Sequence, residues 1–178
     1  MKRFAIYATY EKNGIIDDYI IFCLGELRKV VDDIFVVSNH ILADDQRGKL
    51  SIATDIYEKD DTGYDVGGYA YVISQLRKKK KYEQYDEGVF LNDSIFGPFY
   101  PLNEMFQEMN RKTGIDFWGI TERGESEFDG GESIYPRHIQ LYFFVIKERM
   151  LKSSKFTQYF ENIQNEITGF RRGVRTFF

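Results

Sequence analysis

The chain has 178 residues, 43% hydrophobic and 29% charged, with 16 Phe and 13 Tyr against one Trp, and a formal net charge of −4. That length suits a single domain with a sizeable core, and the mild negative charge argues against a nucleic-acid partner. The lone Cys23 has no partner for an internal disulfide and is expected in the core, no apolar run approaches the roughly 20 residues of a membrane span, and no leader pattern precedes the first strand-like segment; a reducing, cytoplasmic setting is the expectation.

Residues 4–9 are short, apolar and β-prone and predict a first strand. Asp17 or Asp18 can cap a helix whose apolar positions run from Ile20 through Leu24 and Leu27 to Val31 at helical spacing. Residues 34–38 predict a second, Val-rich strand, continuous as expected where both sheet faces are covered. Residues 39–48 are polar and turn-rich, with room for one helical turn, and residues 51–57 predict a third strand. A Gly-rich loop then opens into a helix carrying Tyr69, Val72, Ile73 and Leu76, which ends in the basic run 77–81. Strand four is expected at 88–91, a helix at 102–109 and strand five at 116–121. Residues 122–136 read as a long acidic, Gly-rich loop, residues 138–147 as one long strand and residues 156–167 as a last helix. Residues 1–168 form the expected domain; the basic, aromatic tail 169–178 is either a frayed terminus or a contact to a partner or membrane surface. Strands alternating with helices predict an α/β fold: a mostly parallel sheet with helices on both faces and one antiparallel strand near the edge.

Three constellations offer chemistry. Asn92-Asp93-Ser94 ends strand four, where open α/β sheets keep their ligands. Asp93 can hold a hard cation, Mg2+ or Mn2+, through its carboxylate; the same composition also describes a turn capped by an Asp. Gly63-Tyr64-Asp65-Val66-Gly67-Gly68 combines a helix start with glycines, of which Gly67 permits close approach to an anion. Asp65 there is either the helix N-cap or an acceptor for a ribose hydroxyl or base nitrogen. Ala8-Thr9-Tyr10 follows strand one at the same sheet edge, and Tyr10 can stack on a base or simply stand at the rim. One of Glu122, Asp129 and Glu132 can serve as a general base, or the loop that carries them is a solvated acidic one. His138 and Gln140 alternate on one strand and are expected to face one pocket. The spacing of His40 and His138 excludes a Cys/His zinc pattern, and no P-loop or Gly-x-Ser-x-Gly element occurs.

Six blocks in order, Ile15-Ile-Asp-Asp-Tyr-Ile, Val36-Val-Ser-Asn, Gly63-Tyr-Asp-Val-Gly-Gly-Tyr, Leu91-Asn-Asp-Ser-Ile-Phe-Gly-Pro-Phe, Asp116-Phe-Trp-Gly-Ile-Thr and His138-Ile-Gln-Leu-Tyr-Phe, resemble the rhamnan synthesis protein F family over residues 4–162. The resemblance implies a GT-A-like glycosyltransferase of bacterial cell-surface polysaccharide assembly, using a nucleotide-sugar donor, with dTDP-L-rhamnose the expected one, and a glycan or lipid-linked glycan acceptor. It implies that Asn92-Asp93-Ser94 stands for the metal-binding acidic element, with Asn92 and Ser94 neutral where a second carboxylate could stand. It places Asp65 near the nucleoside. The resemblance assigns no base; Glu122, directly after strand five, is the expected one, and His138 is the second expected catalytic residue. A non-catalytic nucleotide-sugar or glycan-binding module of a larger synthase is the alternative.

Overall fold

A computed structural model describes residues 1–10, 13–59, 63–128 and 133–169. Six strands form the main sheet: β1 (Arg3–Thr9), β2 (Asp33–Ser38), β3 (Asp55–Glu58), β4 (Glu87–Asn92), β5 (Phe117–Gly119) and β10 (Phe143–Lys147). Their order is β3-β2-β1-β4-β10-β5. β1, β2, β3 and β4 are parallel, while β10 runs antiparallel to both β4 and β5. The single antiparallel strand thus lies one place in from the edge.

Period-two alternation sorts the side chains onto two faces. Ala5, Tyr7, Ile34, Val36, Val89 and Leu91 meet helices α1 (Asp18–Leu27) and α4 (Leu102–Arg111). Phe4, Ile6, Phe35, Val37 and Phe90 meet α3 (Tyr64–Lys78) and α6 (Ser154–Gly169). Both faces of β1 are therefore buried, which is why its sequence is apolar without a break. The second face is rich in rings. Phe90 stacks on Phe144 at 4.9 Å and on Phe160 at 6.1 Å, with interplanar angles of 7° and 9°. Burial of each such ring contributes roughly 1.5–3 kcal/mol.

Several expected boundaries move. α1 stops at Leu27, and Val30 and Val31 reach the core through turn bonds to the Leu27 carbonyl at 2.9 and 3.0 Å. The helical turn after β2 is α2 (Asp44–Lys49). Residues 51–54 are turn, not strand: the Ala53 amide bonds back to Leu50 at 2.9 Å, and Ile52 and Ala53 pack on the core from that turn. The expected strand 138–147 is broken into β9 (His138–Ile139) and β10. The expected loop 122–136 instead contains β6 (Glu122–Arg123), β7 (Ser126–Phe128) and β8 (Ser133–Tyr135); β6 pairs with β9 and β7 with β8. A short helix, α5 (Glu148–Leu151), links β10 to α6. Cys23 is half-buried against the aliphatic face rather than within it. Asp129, Glu132 and residues 170–178 of the tail lie outside the described residues.

Candidate functional site

Strand order fixes where a ligand can enter. β2 and β3 extend the sheet on one side of β1, whereas β4 joins on the other. The loops after β1 and β4 therefore leave in different directions and open a crevice between the two carboxyl ends. Asp93 follows β4 at that point. Its Oδ2 accepts the Thr9 hydroxyl at 2.9 Å and the Tyr10 amide at 2.7 Å. The Tyr19 hydroxyl of α1 donates to the Asp93 carbonyl at 3.2 Å. The carboxylate is thus held by the neighbouring strand end rather than by its own turn.

Asn92, buried just beneath, makes the turn instead. Its Oδ1 accepts the Ser94 amide at 3.0 Å, an Asx turn, and its amide nitrogen donates to Asp65 Oδ2 at 2.5 Å. Asp65 is the second residue of α3, not its cap. The cap position is Gly63, with φ +83°, and no side chain caps the helix. Tyr64 follows with φ +50° and is 80% exposed. A left-handed non-glycine residue costs roughly 1–2 kcal/mol, and such strain gathers at ligand sites. The positive end of the α3 dipole consequently points at the crevice.

The crevice holds about 480 Å3. Ala8, Thr9 and Tyr10 form one wall, Asp65 and Gly68 another, and Asp93 and Ser94 a third. Gly68, not Gly67, is the glycine on this wall. A Cβ at Gly68 would lie 3.0 Å from Val37 Cγ1 and 3.8 Å from Ala8 Cβ, so its absence lets α3 sit close to the strand ends. Gly67 is buried within α3, its amide bonded to the Gly63 carbonyl at 2.7 Å. Two phenols lie beneath the site. Burial pushes Tyr69 well above its ordinary pKa, and Asp65 and Asp93 add to the rise. Burial raises Tyr7 likewise, with Cys23, Asp93 and Tyr19 contributing. Both stay protonated beside the carboxylates.

The donor set bears on a cation. Asp65 and Asp93 are the acidic side chains on the crevice wall. No group of three or more His, Cys, Asp or Glu suited to a metal occurs among the described residues. Two hard carboxylates fit Mg2+ or Mn2+, which take one or two protein carboxylates and complete their shell with phosphate and water oxygens. They do not fit a protein-caged zinc.

The other expected site residues stand apart. β5 and β4 are parallel, so Thr121 and Glu122 leave the sheet at the same edge as Asp93. Glu122 is nevertheless 54% exposed, and its two oxygens accept Arg137 at 2.7 and 2.8 Å. His138 is exposed, with Nδ1 2.7 Å from the Pro136 carbonyl. Gln140 lies beyond the end of β9, so the two do not share a strand face. Its Oε1 accepts the Thr121 hydroxyl at 3.0 Å and the Tyr142 hydroxyl at 2.7 Å. None of the three lines the crevice. A backbone link remains: the Asn92 amide bonds to the Tyr142 carbonyl at 3.4 Å, so this segment borders the site.

A family model described as rhamnan synthesis protein F matches residues 34–177. The chain belongs to that family. Among curated relatives, an uncharacterized protein, y4gN, of Sinorhizobium fredii (strain NBRC 101917 / NGR234) is 26% identical over 161 residues, 89% of this chain and 39% of the relative. Virulence protein VirA of Vibrio anguillarum is 29% identical over 96 residues, 53% of this chain and 27% of the relative. The chain therefore spans well under half the length of these relatives. Among solved structures, 4-diphosphocytidyl-2C-methyl-D-erythritol synthase superposes with a TM-score of 0.55 at 10% identity, covering 91% of this chain and 85% of that one. The fold is the GT-A-like α/β fold expected from the sequence. In this member of the rhamnan synthesis protein F family, the crevice also carries Tyr64, from the Gly-rich block, and Asn39 and Lys59, which were not among the expected site residues. Asn39 and Lys59 directly follow β2 and β3, so polar residues after each parallel strand were the available signal.

Proposed function

We propose that this chain binds a nucleotide-sugar and transfers its sugar to a cell-surface polysaccharide precursor. The deoxyhexose L-rhamnose, carried by dTDP, is the donor we favour, from the family resemblance. The carrying observation is the Asp93 carboxylate, fixed by Thr9 and Tyr10 at the switch point of the sheet, in a crevice sized for a ligand. The diphosphate lies at the start of α3 and beside Lys59, where the helix dipole and the ammonium both favour negative charge. Asp65 accepts from the nucleoside, and Tyr10 and Tyr64 flank it. Asp93 would hold the Mg2+ or Mn2+ ion, whose chemistry is to offset charge on the departing diphosphate. The acceptor hydroxyl oxygen bonds to the anomeric carbon as the bond to the diphosphate oxygen breaks, and the hydroxyl proton passes to a base.

Glu122 is the proposed base, assisted by His138, with Gln140 orienting the acceptor. Both Glu122 oxygens accept from Arg137, whose charge makes the carboxylate a weaker base. The same observation favours the second reading, a nucleotide-sugar-binding module that does not itself catalyse. The acceptor is a glycan or lipid-linked glycan, and the setting is the cytoplasmic face of the membrane. No helix among the described residues is long and apolar enough to cross a membrane. A thermal-shift series with dTDP, dTDP-L-rhamnose and other sugar nucleotides, with and without Mn2+, tests the site, since a ligand of the native state raises Tm. A shift that depends on Mn2+ and disappears in Asp93→Ala is expected. An equal shift in Asp93→Ala removes the proposed role. Release of free sugar from the donor separates the enzyme from the module.

A further inference from the structure

The segment leaving Asp93 for α4 turns its rings outward. Phe96 is 71% exposed, Phe99 85% and Tyr100 81%. Phe22, on α1, is 54% exposed. Rings left in water together mark a contact surface more than rings scattered singly. Here they follow a path. Phe96 lies against Tyr19 with centroids 4.5 Å apart, and the Tyr19 hydroxyl holds the Asp93 carbonyl. The first ring therefore stands beside the Asp93 corner. Beyond it, Phe22, Phe99 and Tyr100 line a groove of about 270 Å3 between α1 and the start of α4. Glu26, Lys29 and Asn103 line the same groove, and Lys29 pairs with Glu26 at 2.5 Å.

We propose that this groove is a saccharide subsite, which holds a pyranose ring of the acceptor glycan while Phe96 and Tyr19 lead the chain toward Asp93. This rests on the glycosyl-transfer reading above. A pyranose has an apolar C–H face and an edge of hydroxyls, each both donor and acceptor. The groove offers aromatic faces for the first. It offers a carboxylate, an ammonium and an amide for the second. Its volume is below the roughly 300–1,000 Å3 of drug-sized sites and suits one ring. The groove lies on the α1/α4 side of Asp93, whereas Asp65 and Lys59 approach the crevice from the α3 side. Donor and acceptor would then meet at Asp93 from opposite sides.

The test uses the full chain with Phe99→Trp as a fluorescent reporter; the natural Trp118 is buried. The probes are rhamnose, mannose, galactose and glucose tetrasaccharides, with dTDP affinity measured in parallel. A saturable emission change with at least one tetrasaccharide is expected. Adding Phe22→Ala should weaken that binding about tenfold and leave dTDP affinity unchanged. Phe22 is half-exposed, so its removal spares the fold. Absence of any saturable change, or indifference to Phe22→Ala, overturns the subsite even where dTDP still binds. Loss of dTDP binding alone, with saccharide binding intact, instead refutes the donor reading and leaves the groove standing. Emission that responds only to phosphatidylcholine–phosphatidylglycerol vesicles overturns the subsite in favour of a bilayer contact.

Discussion

The two ends of the β1–β4 ladder each carry an acidic side chain, and they are held in opposite ways. At the amino end Glu87 is buried and paired with Arg3 at 2.5 Å, the two side chains being 4% and 12% exposed. The Arg3 guanidinium also lies over the Phe106 ring at 4.9 Å. At the carboxyl end Asp93 accepts the Thr9 hydroxyl and the Tyr10 amide and lines the open crevice instead of the core. A carboxylate matched by an arginine inside the fold has its charge offset by the protein. One on the crevice wall is oriented by its hydrogen bonds and stands where a ligand can reach it. Charge pairing also occurs in exposed form along the amino edge, between Asp116 and Arg149 and between Asp55 and Lys79.

That contrast breaks most severely at Glu87. Glu87→Ala takes the carboxylate from the Arg3 guanidinium, which keeps only the Asn110 side-chain oxygen at 2.9 Å and the Val30 carbonyl at 3.3 Å, and should cost about 3 kcal/mol, read as a lower denaturant midpoint. Nucleotide affinity of the surviving folded fraction should be unchanged. A double variant replacing Arg3 and Glu87 with apolar residues should recover much of the loss; failure to recover would show that the pair is not what the cost reports. Asp93→Asn reverses the pattern. It retains the shape but weakens bonds made to a charged acceptor, each worth roughly 1.5–3 kcal/mol, so stability falls less than at Glu87. Metal-dependent nucleotide binding should fall by at least a hundredfold, about 2.7 kcal/mol. A larger stability loss at Asp93 than at Glu87 would erase the distinction between the two ends.

Asn92 sharpens the same end. Asn92→Ala removes the amide that bonds Asp65 and the oxygen that forms the Asx turn. It should cost about 1–3 kcal/mol, the net worth of the two hydrogen bonds lost. Calorimetry should show weaker nucleotide binding through a displaced Asp65, with the metal dependence through Asp93 retained. At the outer strands the expected effect shrinks. Glu122→Gln breaks an exposed pair with Arg137 and should change stability by under about 1 kcal/mol. A loss of transfer with donor binding intact would support the base role. Unchanged transfer would remove it.

The sheet was legible because β1, β2 and β4 are apolar without interruption, as burial on both faces requires. Asp93 was legible for a related reason: a carboxylate directly after such a run has to emerge at the sheet edge. Its partners were not. Thr9 and Tyr10 lie 84 and 83 residues away, and only the switch in strand order brings them to the carboxylate. The two glycines show how fine the limit is. Gly67 and Gly68 are adjacent in sequence, but one helical step separates a residue inside α3 from one on the crevice wall. Residues 122–139 failed differently. Strands of two or three residues are too short to display any period, so β6 to β9 read as loop or as an extension of β10. Ile139 packs over Gly119, where a Cβ would collide with it, and that contact brings β9 onto the sheet.

The smallest effect lies with Asp55, at the amino edge of β3. Burial pushes its carboxyl up, but hydrogen bonds from Lys79 and Tyr57, the Lys79 charge and the Ile56 amide outweigh it, and its pKa falls below the ordinary value. The Lys79 Nζ stands 2.9 Å away, and both side chains are substantially exposed, so solvent screens the pair. A carboxyl group whose pKa is lower in the folded state binds fewer protons there than in the unfolded chain. Its contribution is therefore complete above the unfolded value of about 3.9 and disappears as pH falls through the folded one. Asp55→Asn should consequently lower Tm slightly at neutral pH, and the difference from the parent should close as pH falls below about 4. Parallel melting curves at pH 7 and pH 3 decide it. A gap that persists undiminished at pH 3 would mean that the carboxylate acts through shape or neutral hydrogen bonds, and that charge pairing at the amino edge does not extend to β3.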